Sequence, residues 1–388
     1  MSRSRKDGLG GRAAIAGIGA TEFSKNSGRS ELKLAVEAVH AALDDAGLSP
    51  ADVDGLVTFT MDTNPEITLA RAAGIGELSF FSRVHYGGGA ACATVQQAAL
   101  AVAAGVADVV VCYRAFNERS GHRFGSGVQH REPSAEGAAL GWVLPFGLLT
   151  PASWAAMAAQ RYLYAHGLTP EAFGPVAVTA RRYAARNPAA YFHGKPITLA
   201  DHAASRWIAE PLRLLDCCQE TDGGQAVVVT RAERARDLRR PPALVVAAAQ
   251  GAGRAQEQMT SFSRDDLTGL PETAVVARQL WRGSGLAPAD IDVGILYDHF
   301  TPYVLMQLEE FGFCGPGEGS GFVASDALPL NTHGGQLGEA YLHGMNGIAE
   351  AVRQIRGTSV NQIPEAARVL VTAGTGVPTS GLILGADG

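Results

Sequence analysis

Long basic runs, paired cysteines and metal-binding motifs are all absent from this sequence of 388 residues. Charged residues make up 18% and the net charge is −6, so no concentrated positive field marks a nucleic-acid groove. The five cysteines are odd in number and none forms a Cys-x-x-Cys pair, which argues against a disulfide framework or a zinc site. This use of cysteine is typical of a reducing cytoplasm, where we expect the protein to reside.

Membrane-spanning and secretion signals are also missing. The longest apolar run, residues 98–112, is interrupted by Gly105 and Asp108 and is too short and polar to cross a bilayer. Residues 1–11 are basic and contain glycine but no apolar stretch, so we expect a disordered tail rather than a signal peptide. Hydrophobic residues nevertheless reach 46%, enough for a large core formed by two similar halves or one large α/β unit.

The sequence repeats itself. The block GLSPADVD at residues 47–54 returns as GLAPADID at residues 285–292. In both copies the glycine predicts the end of a helix, the proline and aspartate predict a turn, and the apolar residues that follow predict a buried strand.

The segments around both blocks match as well. The predicted pairs are strands 13–19 and 243–249, helices 32–46 and 273–281, helices 91–104 and 344–356, and strands 109–111 and 369–371. A duplication of this size, with strands alternating with helices, predicts parallel sheets covered by helices on both sides. We expect one half at residues 1–235 and the other at residues 236–388.

A less periodic region, about residues 115–213, separates the repeated segments and is richer in aromatics, arginine and proline. We interpret it as an inserted cap of helices and loops over the functional site. Lys195 and Arg206 within it are candidates for contacting the phosphates of coenzyme A, although a solvated surface explains either residue as well.

Two duplicated halves with an insertion resemble the thiolase superfamily, and three motifs carry the resemblance. They are CQETDGGQAVVV at residues 218–229, NTHGG at residues 331–335 followed by Gly344 and Gly347, and VTAGTG at residues 371–376. The resemblance implies a five-layered α/β/α/β/α fold and a homodimer.

The reactive positions of thiolases are replaced here. The position of the acyl-accepting cysteine falls on Gly88, the Asn-Glu-Ala-Phe motif becomes residues 297–300 (YDHF), and the catalytic histidine becomes Tyr341. The second cysteine becomes Thr372, and Cys92 lies one helical turn beyond Gly88, where a core role is expected. Without a thiolate, condensation through an acyl-enzyme has no nucleophile.

This pattern resembles one branch of the superfamily, the lipid-transfer-protein-type steroid side-chain-cleaving aldolases of steroid-degrading actinobacteria. The shared segments are residues 19–23, 85–89, 297–302 and 335–346. The resemblance implies retro-aldol cleavage of a 17-hydroxy steroid acyl-CoA, similar to 17-hydroxy-3-oxo-4-pregnene-20-carboxyl-CoA, into a 17-keto steroid and propionyl-CoA, with no cofactor. It also implies catalysis by Tyr297 and Tyr341, and a heterotetramer of the homodimer with the OB-fold domain of the preceding enoyl-CoA hydratase.

Such a cleavage needs a base for the substrate hydroxyl, hydrogen-bond donors for the thioester oxygen, and an acid for the α-carbon. Gly87, Gly88 and Gly89 expose backbone N–H groups at a helix N-terminus, which suits the thioester oxygen. Neighbours that would support the two phenols are Asp298, His299 and His343, whereas His333 and Asp222 suit structural roles.

Two other functions stay open at this point. The first is a non-catalytic subunit that carries an acyl-CoA or lipid, which the loss of nucleophiles favours. The second is an acyltransferase that uses Cys92, which requires that thiol to face the pocket. A plain interaction module would require a closed cavity.

Overall fold

A computed structural model describes residues 9–85, 87–121, 123–127, 135–257, 261–262, 264–375 and 379–387. Most of the predicted N-terminal tail, residues 1–8, lies outside these ranges, and so do Tyr86 and Gly376 of the motifs.

Eleven strands lie in the described ranges. In chain order they are β1 (Ala13–Ala20), β2 (Gly55–Phe59), β3 (Phe80–Val84), β4 (Val109–Asn117), β5 (Trp207–Ala209), β6 (Leu212–Arg213), β7 (Asp222–Arg231), β8 (Ala243–Gly251), β9 (Val293–Ile295), β10 (Arg368–Ala373) and β11 (Thr379–Ala386).

Thirteen α-helices accompany the strands in the same ranges. They are α1 (Glu31–Ala46), α2 (Glu66–Ala73), α3 (Ala91–Ala103), α4 (Ala135–Leu140), α5 (Pro151–His166), α6 (Gly174–Ala184), α7 (Leu199–Ala204), α8 (Ala232–Arg236), α9 (Pro271–Ser284), α10 (Thr301–Glu310), α11 (Gly319–Ala324), α12 (Gly335–Gly338) and α13 (Met345–Arg356). Gly47 and Gly285 end α1 and α9 in the left-handed conformation, as the repeated block predicts.

The strand order shows the duplication directly. Nine strands form one ladder in the order β3-β2-β4-β7-β1-β8-β11-β10-β9, so that β2-β4-β7-β1 is mirrored by β9-β10-β11-β8. In both halves the first pair is parallel and the next two pairs are antiparallel. The two sets of strands join where Ala14 and Ile15 of β1 pair with Leu244 and Ala243 of β8.

The expectation of purely parallel sheets was therefore wrong, because the ladder is mixed. The connection between β10 and β11 explains the difference in the second half. It comprises residues 374–378, too few for a crossover, so β11 must return antiparallel to β10.

Helices and strands alternate in five layers. Helices α3 and α13 touch each other and strands of both halves, and their apolar faces form one inner core with Val57, Val110 and Val371. Helix α1 covers the outer face of β1, β4 and β7, whereas α9 covers β8 and β11. The order is thus outer helix, sheet, α3 with α13, sheet and outer helix, which confirms the predicted five-layered thiolase fold.

The inserted region packs on the second half. Strand β4 continues to Asn117, paired with Asp222, so the region between β4 and β7 spans residues 118–221. Its helix α6 contacts α10, α11 and α12. The Asn187 amide donates to the backbone oxygen of His333 (2.9 Å), which ties the insertion to the loop before α12. The division into halves at residues 235 and 236 stays a prediction.

Within the described residues, no helix is both long and apolar enough to cross a bilayer.

Candidate active site

Two buried tyrosines meet where the ends of β9 and α12 approach the start of α3. The phenol oxygens of Tyr297 and Tyr341 lie 3.2 Å apart, within hydrogen-bond distance. Tyr297 is 3% exposed and Tyr341 is 9% exposed. Residues 44 positions apart in sequence therefore form one phenol pair.

The backbone of each tyrosine is held by a threonine. The Tyr297 amide donates to the Thr372 hydroxyl (2.9 Å), and that hydroxyl donates to Gln307 (2.6 Å). Gln307 in turn donates to the Tyr297 carbonyl (2.8 Å). The Tyr341 amide donates to the Thr221 hydroxyl (2.8 Å). Buried polar side chains thus hold the backbone of both tyrosines, which restricts the positions of the two phenols.

Gly88 leaves the space that the Tyr297 phenol occupies. It lies in the single 3-10 turn, Gly88–Ala90, that leads into α3. A Cβ atom at this position would lie 1.9 Å from the Tyr297 phenol oxygen and 2.4 Å from the ring carbon that carries it. A side chain at position 88 and the Tyr297 phenol therefore exclude each other.

His343 borders the same turn and presents a nitrogen to it. A Cβ atom at Gly87 would lie 3.2 Å from His343 Nε2. The other ring nitrogen, Nδ1, faces Nε of Arg114 at 3.2 Å. Because a guanidinium only donates, Nδ1 accepts and the ring proton sits on Nε2. His343 thus offers an N–H donor on the side of the Gly87–Gly88 turn.

Burial keeps His343 neutral. Desolvation, with the neighbouring Arg114 charge second, holds the pKa of His343 well below its ordinary value. The Phe116 ring stacks on His343 at 5.1 Å. The backbone of His343 has φ of +52°, a left-handed conformation that is costly for a residue with a side chain. Such strain is found where the surrounding structure fixes a functional side chain.

His299 lies on the other side of the pair. Its ring centroid is 4.9 Å from that of Tyr297, and it stacks on Tyr303 at 5.0 Å. Burial lowers the pKa of His299 to about 3, so the imidazole stays neutral at physiological pH. The Thr375 hydroxyl lies 3.3 Å from Nε2.

Asp298 supports the loop that carries Tyr341. Its carboxylate accepts from the Gln336 amide (2.7 Å) at the start of α12. A Cβ at Gly335 would lie 1.9 Å from Asp298 Oδ2, so the glycine permits this close approach. Burial raises the pKa of Asp298 to about 6.

The phenols themselves remain protonated. Burial raises the pKa of both Tyr297 and Tyr341 well above the ordinary value, although their mutual hydrogen bond lowers that of Tyr297. Both tyrosines are therefore suited to donate hydrogen bonds and protons. Neither ionises readily enough to start as a base at neutral pH.

Four further residues complete the cluster and were missed by the sequence analysis: Arg114, Glu118, Cys218 and Thr221. Arg114 is buried and paired with Asp62 (3.0 Å). Glu118 is 2% exposed, and burial raises the pKa of its carboxyl well above the ordinary value. The available signal was the pair of charged residues four positions apart, at and just beyond the end of an otherwise apolar strand, because alternate residues share one face.

Cys92 does not belong to this cluster. It has no exposed surface, and its thiol lies 3.7 Å from the Val371 carbonyl oxygen in the inner core. Burial raises the pKa of the thiol, which keeps it protonated and unreactive. Cys218 lies near enough to both phenols for its charge to raise their pKa, but burial raises the pKa of its own thiol as well.

The remaining predicted residues lie at the edge of the site or beyond it. Gly89 follows Gly88 in the turn, and its carbonyl accepts from the Ser380 hydroxyl (2.6 Å). Lys195 and Arg206 are exposed on the inserted region, where the Lys195 ammonium lies 5.7 Å from the Tyr191 ring centroid. His333 lies 4.0 Å from the Glu339 carboxylate, and Asp222 accepts from the Arg119 and Ser120 amides (2.9 and 3.0 Å). These two contacts fit the structural roles expected for His333 and Asp222.

A cavity of about 10 Å³ lies behind Tyr297, next to Asp298, Gln336 and Asn346. This is room for about one water molecule, so the cavity is not a substrate pocket. Among the described residues, no group of three or more His, Cys, Asp or Glu side chains is arranged to hold a metal ion.

Comparison with known proteins places these observations in context. Residues 253–385 match the family model for the thiolase C-terminal domain-like region. The chain is 67% identical to a steroid side-chain-cleaving aldolase of Thermomonospora curvata, over 98% of this chain and 99% of that protein. It is 66% identical to the 17-hydroxy-3-oxo-4-pregnene-20-carboxyl-CoA lyase of Mycobacterium tuberculosis, over 97% of this chain and 100% of that protein.

Solved structures agree with the sequence matches. A structure described as the Ltp2-ChsH2(DUF35) aldolase has a TM-score of 0.94 and 66% identity, and the match covers 98% of this chain and 99% of that one. A monomeric SCP2-thiolase-like protein of Mycobacterium smegmatis has a TM-score of 0.73 at 21% identity, over 96% of this chain and 77% of that one, and so shares the fold.

Proposed function

The chain belongs to the steroid side-chain-cleaving aldolases of the thiolase superfamily, and we propose that it cleaves a 17-hydroxy steroid side-chain acyl-CoA by a retro-aldol reaction. The substrate resembles 17-hydroxy-3-oxo-4-pregnene-20-carboxyl-CoA. The products are a 17-keto steroid, similar to androstenedione, and propionyl-CoA.

The observation that carries this proposal is the exclusion between Gly88 and the Tyr297 phenol. The thiolase nucleophile position has neither a thiol nor the volume for one, because a Cβ there would lie 1.9 Å from the phenol oxygen. Residue 88 therefore cannot act as the nucleophile of an acyl transfer. A bond that breaks toward a thioester enolate needs proton transfer and hydrogen bonding instead, which two phenols supply.

Each part of the cluster has a role in this reaction. The substrate hydroxyl on the ring carbon loses its proton as the bond to the α-carbon breaks and a ketone forms. The bonding electrons enter the thioester, whose oxygen becomes negative and is stabilised by nearby donors. The Nε2–H of His343 and the Gly87–Gly89 turn are suited to that oxygen, since they adjoin each other. The α-carbon then takes a proton from a phenol.

Tyr297 and Tyr341 are the reacting phenols in this proposal, and Asp298 and His299 support them. Asp298 fixes the start of α12 through Gln336, and with it the segment that carries Tyr341. His299 packs on the Tyr297 ring, so it restricts that phenol's orientation.

The two alternatives are less well supported. An acyltransferase that uses Cys92 requires an accessible thiol, and this one is 0% exposed. A purely carrying subunit does not require two phenols at 3.2 Å from each other in the core of the site.

We further propose that the chain works in the cytoplasm as a homodimer, with the OB-fold domain of the preceding enoyl-CoA hydratase completing a heterotetramer. The description of a similar structure as an Ltp2-ChsH2(DUF35) aldolase supports a partner subunit. Five free cysteines are consistent with a reducing compartment. Lys195 and Arg206 remain the proposed contacts for the phosphates of coenzyme A.

The test is to purify the chain with and without the partner hydratase subunit and to supply the 17-hydroxy steroid acyl-CoA. Release of propionyl-CoA and a 17-keto steroid in equal amounts is expected. Binding of the acyl-CoA without any release, even with the partner present, would favour the carrying subunit.

A further inference from the structure

A buried carboxyl group lies beside the phenol pair. Glu118 is the first residue after β4, on the face of that strand which Arg114 and Phe116 present to His343, because alternate residues of a strand share a face. The Glu118 side chain is 2% exposed, so it is shielded from bulk water.

Thr221 ties this carboxyl to the reacting segment. Its backbone amide is near enough to the Glu118 carboxyl to lower the pKa of that group, while its hydroxyl accepts from the Tyr341 amide at 2.8 Å. Glu118 and Tyr341 thus have Thr221 as a common neighbour. The segment 119–120 that follows Glu118 is fixed in turn by Asp222, which accepts from both of its amides.

One oxygen of this carboxyl, Oε2, has no hydrogen-bond partner within the described part of the chain. A buried carboxyl oxygen without a hydrogen-bond partner lowers the stability of the folded protein. Proteins keep such a group where it takes part in catalysis. The cations that would ordinarily satisfy it are engaged elsewhere. Arg114 pairs with Asp62 (3.0 Å), and the Lys25 ammonium donates to the Glu220 carbonyl (2.5 Å).

The phenol pair needs such a group. Since burial keeps both phenols protonated, neither can accept a proton from the substrate unless it passes its own proton on. Neither neutral histidine meets this need as well as Glu118 does. His343 Nδ1 already accepts from Arg114, and burial lowers the pKa of His299 to about 3. Glu118 lies close enough for its charge to raise the pKa of Tyr297 and Tyr341.

On the basis of the proposed function, we propose that Glu118 is the proton acceptor of the site, which stores the proton of the substrate hydroxyl during cleavage and returns it afterwards. As the carbon–carbon bond breaks, the hydroxyl proton passes to a phenol oxygen, and that phenol's proton passes through a bridging water molecule to the Glu118 carboxylate. When the enolate collapses, the α-carbon takes a phenol proton and the carboxyl returns its proton to the phenol. The pair and Glu118 end as they began, so no outside proton is consumed.

The charged and titratable groups around Glu118 come from every neighbouring element. They are Arg114 on β4, Lys25 after β1, Cys218 and Glu220 before β7, Tyr297 after β9 and Tyr341 before α13. Burial, followed by the charge of Glu220, raises the pKa of Glu118 well above its ordinary value. Only the ionised carboxyl accepts a proton, so the cleavage rate should fall as the pH decreases through this raised pKa.

The experiment compares Glu118→Gln and Glu118→Asp with the unchanged protein, in complex with its partner subunit, by kcat and KM for the 17-hydroxy steroid acyl-CoA across pH. We expect Glu118→Gln to lower kcat by about a hundredfold or more with little change in KM, the usual range for a group that moves a proton. The residual cleavage rate of Glu118→Gln should no longer decrease as the pH is lowered. Glu118→Asp, which keeps a carboxyl, should be slower than the unchanged protein yet retain that fall.

Glu310→Gln is a matched control, because burial also raises the pKa of Glu310 but its carboxylate accepts from the Leu270 amide outside the site. It should keep the pH profile. A Glu118→Gln protein that retains near-normal kcat, or that retains the fall at low pH, would overturn the inference and point to Asp298, whose pKa lies at about 6. Should Glu118→Gln not fold, a Glu118→Asp protein with unchanged kcat would overturn it equally. No cleavage by the unchanged complex would refute the proposed function itself.

Discussion

Gly88→Ala adds a single carbon where the Tyr297 phenol now lies. The new Cβ would be 1.9 Å from the phenol oxygen, whereas non-bonded atoms of this kind need roughly 3 Å or more. The phenol must therefore retreat by about 1 Å, and its 3.2 Å contact with Tyr341 cannot survive that movement unchanged. A displacement of this size in a reacting group lowers a rate by about a hundredfold.

The matched control is Gly321→Ala in α11, where an added Cβ meets no atom within 4 Å. Steady-state release of propionyl-CoA measures both variants, and denaturant unfolding measures stability. We expect Gly88→Ala to lose about 1–3 kcal/mol of stability through overpacking in addition to its activity. Gly321→Ala should keep both. Near-normal turnover by Gly88→Ala would refute the argument that the phenol must occupy that space.

Four other substitutions test three separate parts of the site. Tyr297→Phe and Tyr341→Phe should each lower kcat by about a hundredfold or more with little change in melting temperature, and near-normal turnover by both would make the tyrosines packing residues. Cys92→Ala should keep cleavage, whereas loss of all turnover in a folded variant would revive the acyltransferase. Asp298→Ala should lower the unfolding free energy by about 1 kcal/mol or more and slow cleavage, because the α12 amides lose their acceptor. A variant with unchanged stability and rate would show that Asp298 does not position Tyr341.

The duplication made most of the fold predictable. Strands at 13–19 and 243–249 were found at Ala13–Ala20 and Ala243–Gly251, and the helix predicted at 91–104 ends at Ala103. Glycine after a helix and an apolar run after a turn are local signals, which is why these boundaries agree. The direction of β7 escaped prediction because it depends on where the chain returns after a long insertion, whereas the antiparallel β11 follows from the short connection 374–378.

The site was predictable to the extent that two positions could be aligned with a known reactive motif. Tyr297 and Tyr341 came from that alignment, and their contact confirms only that they are neighbours. Glu118 escaped because it was assigned to the insertion, and Arg114 escaped because the strand was predicted only for residues 109–111, whereas β4 continues to Asn117. Two charges four positions apart in a mostly apolar stretch were visible in the sequence, but their meaning depends on where β4 ends.

The central claim is that two phenols cleave the substrate without an acyl-enzyme. Its most direct test is a single-turnover reaction of the complex with the 17-hydroxy steroid acyl-CoA, followed by intact-protein mass spectrometry during product release. We expect equal amounts of propionyl-CoA and 17-keto steroid while the mass of the chain stays unchanged throughout. A transient increase in protein mass equal to an acyl group, formed and lost at the rate of turnover, would contradict it.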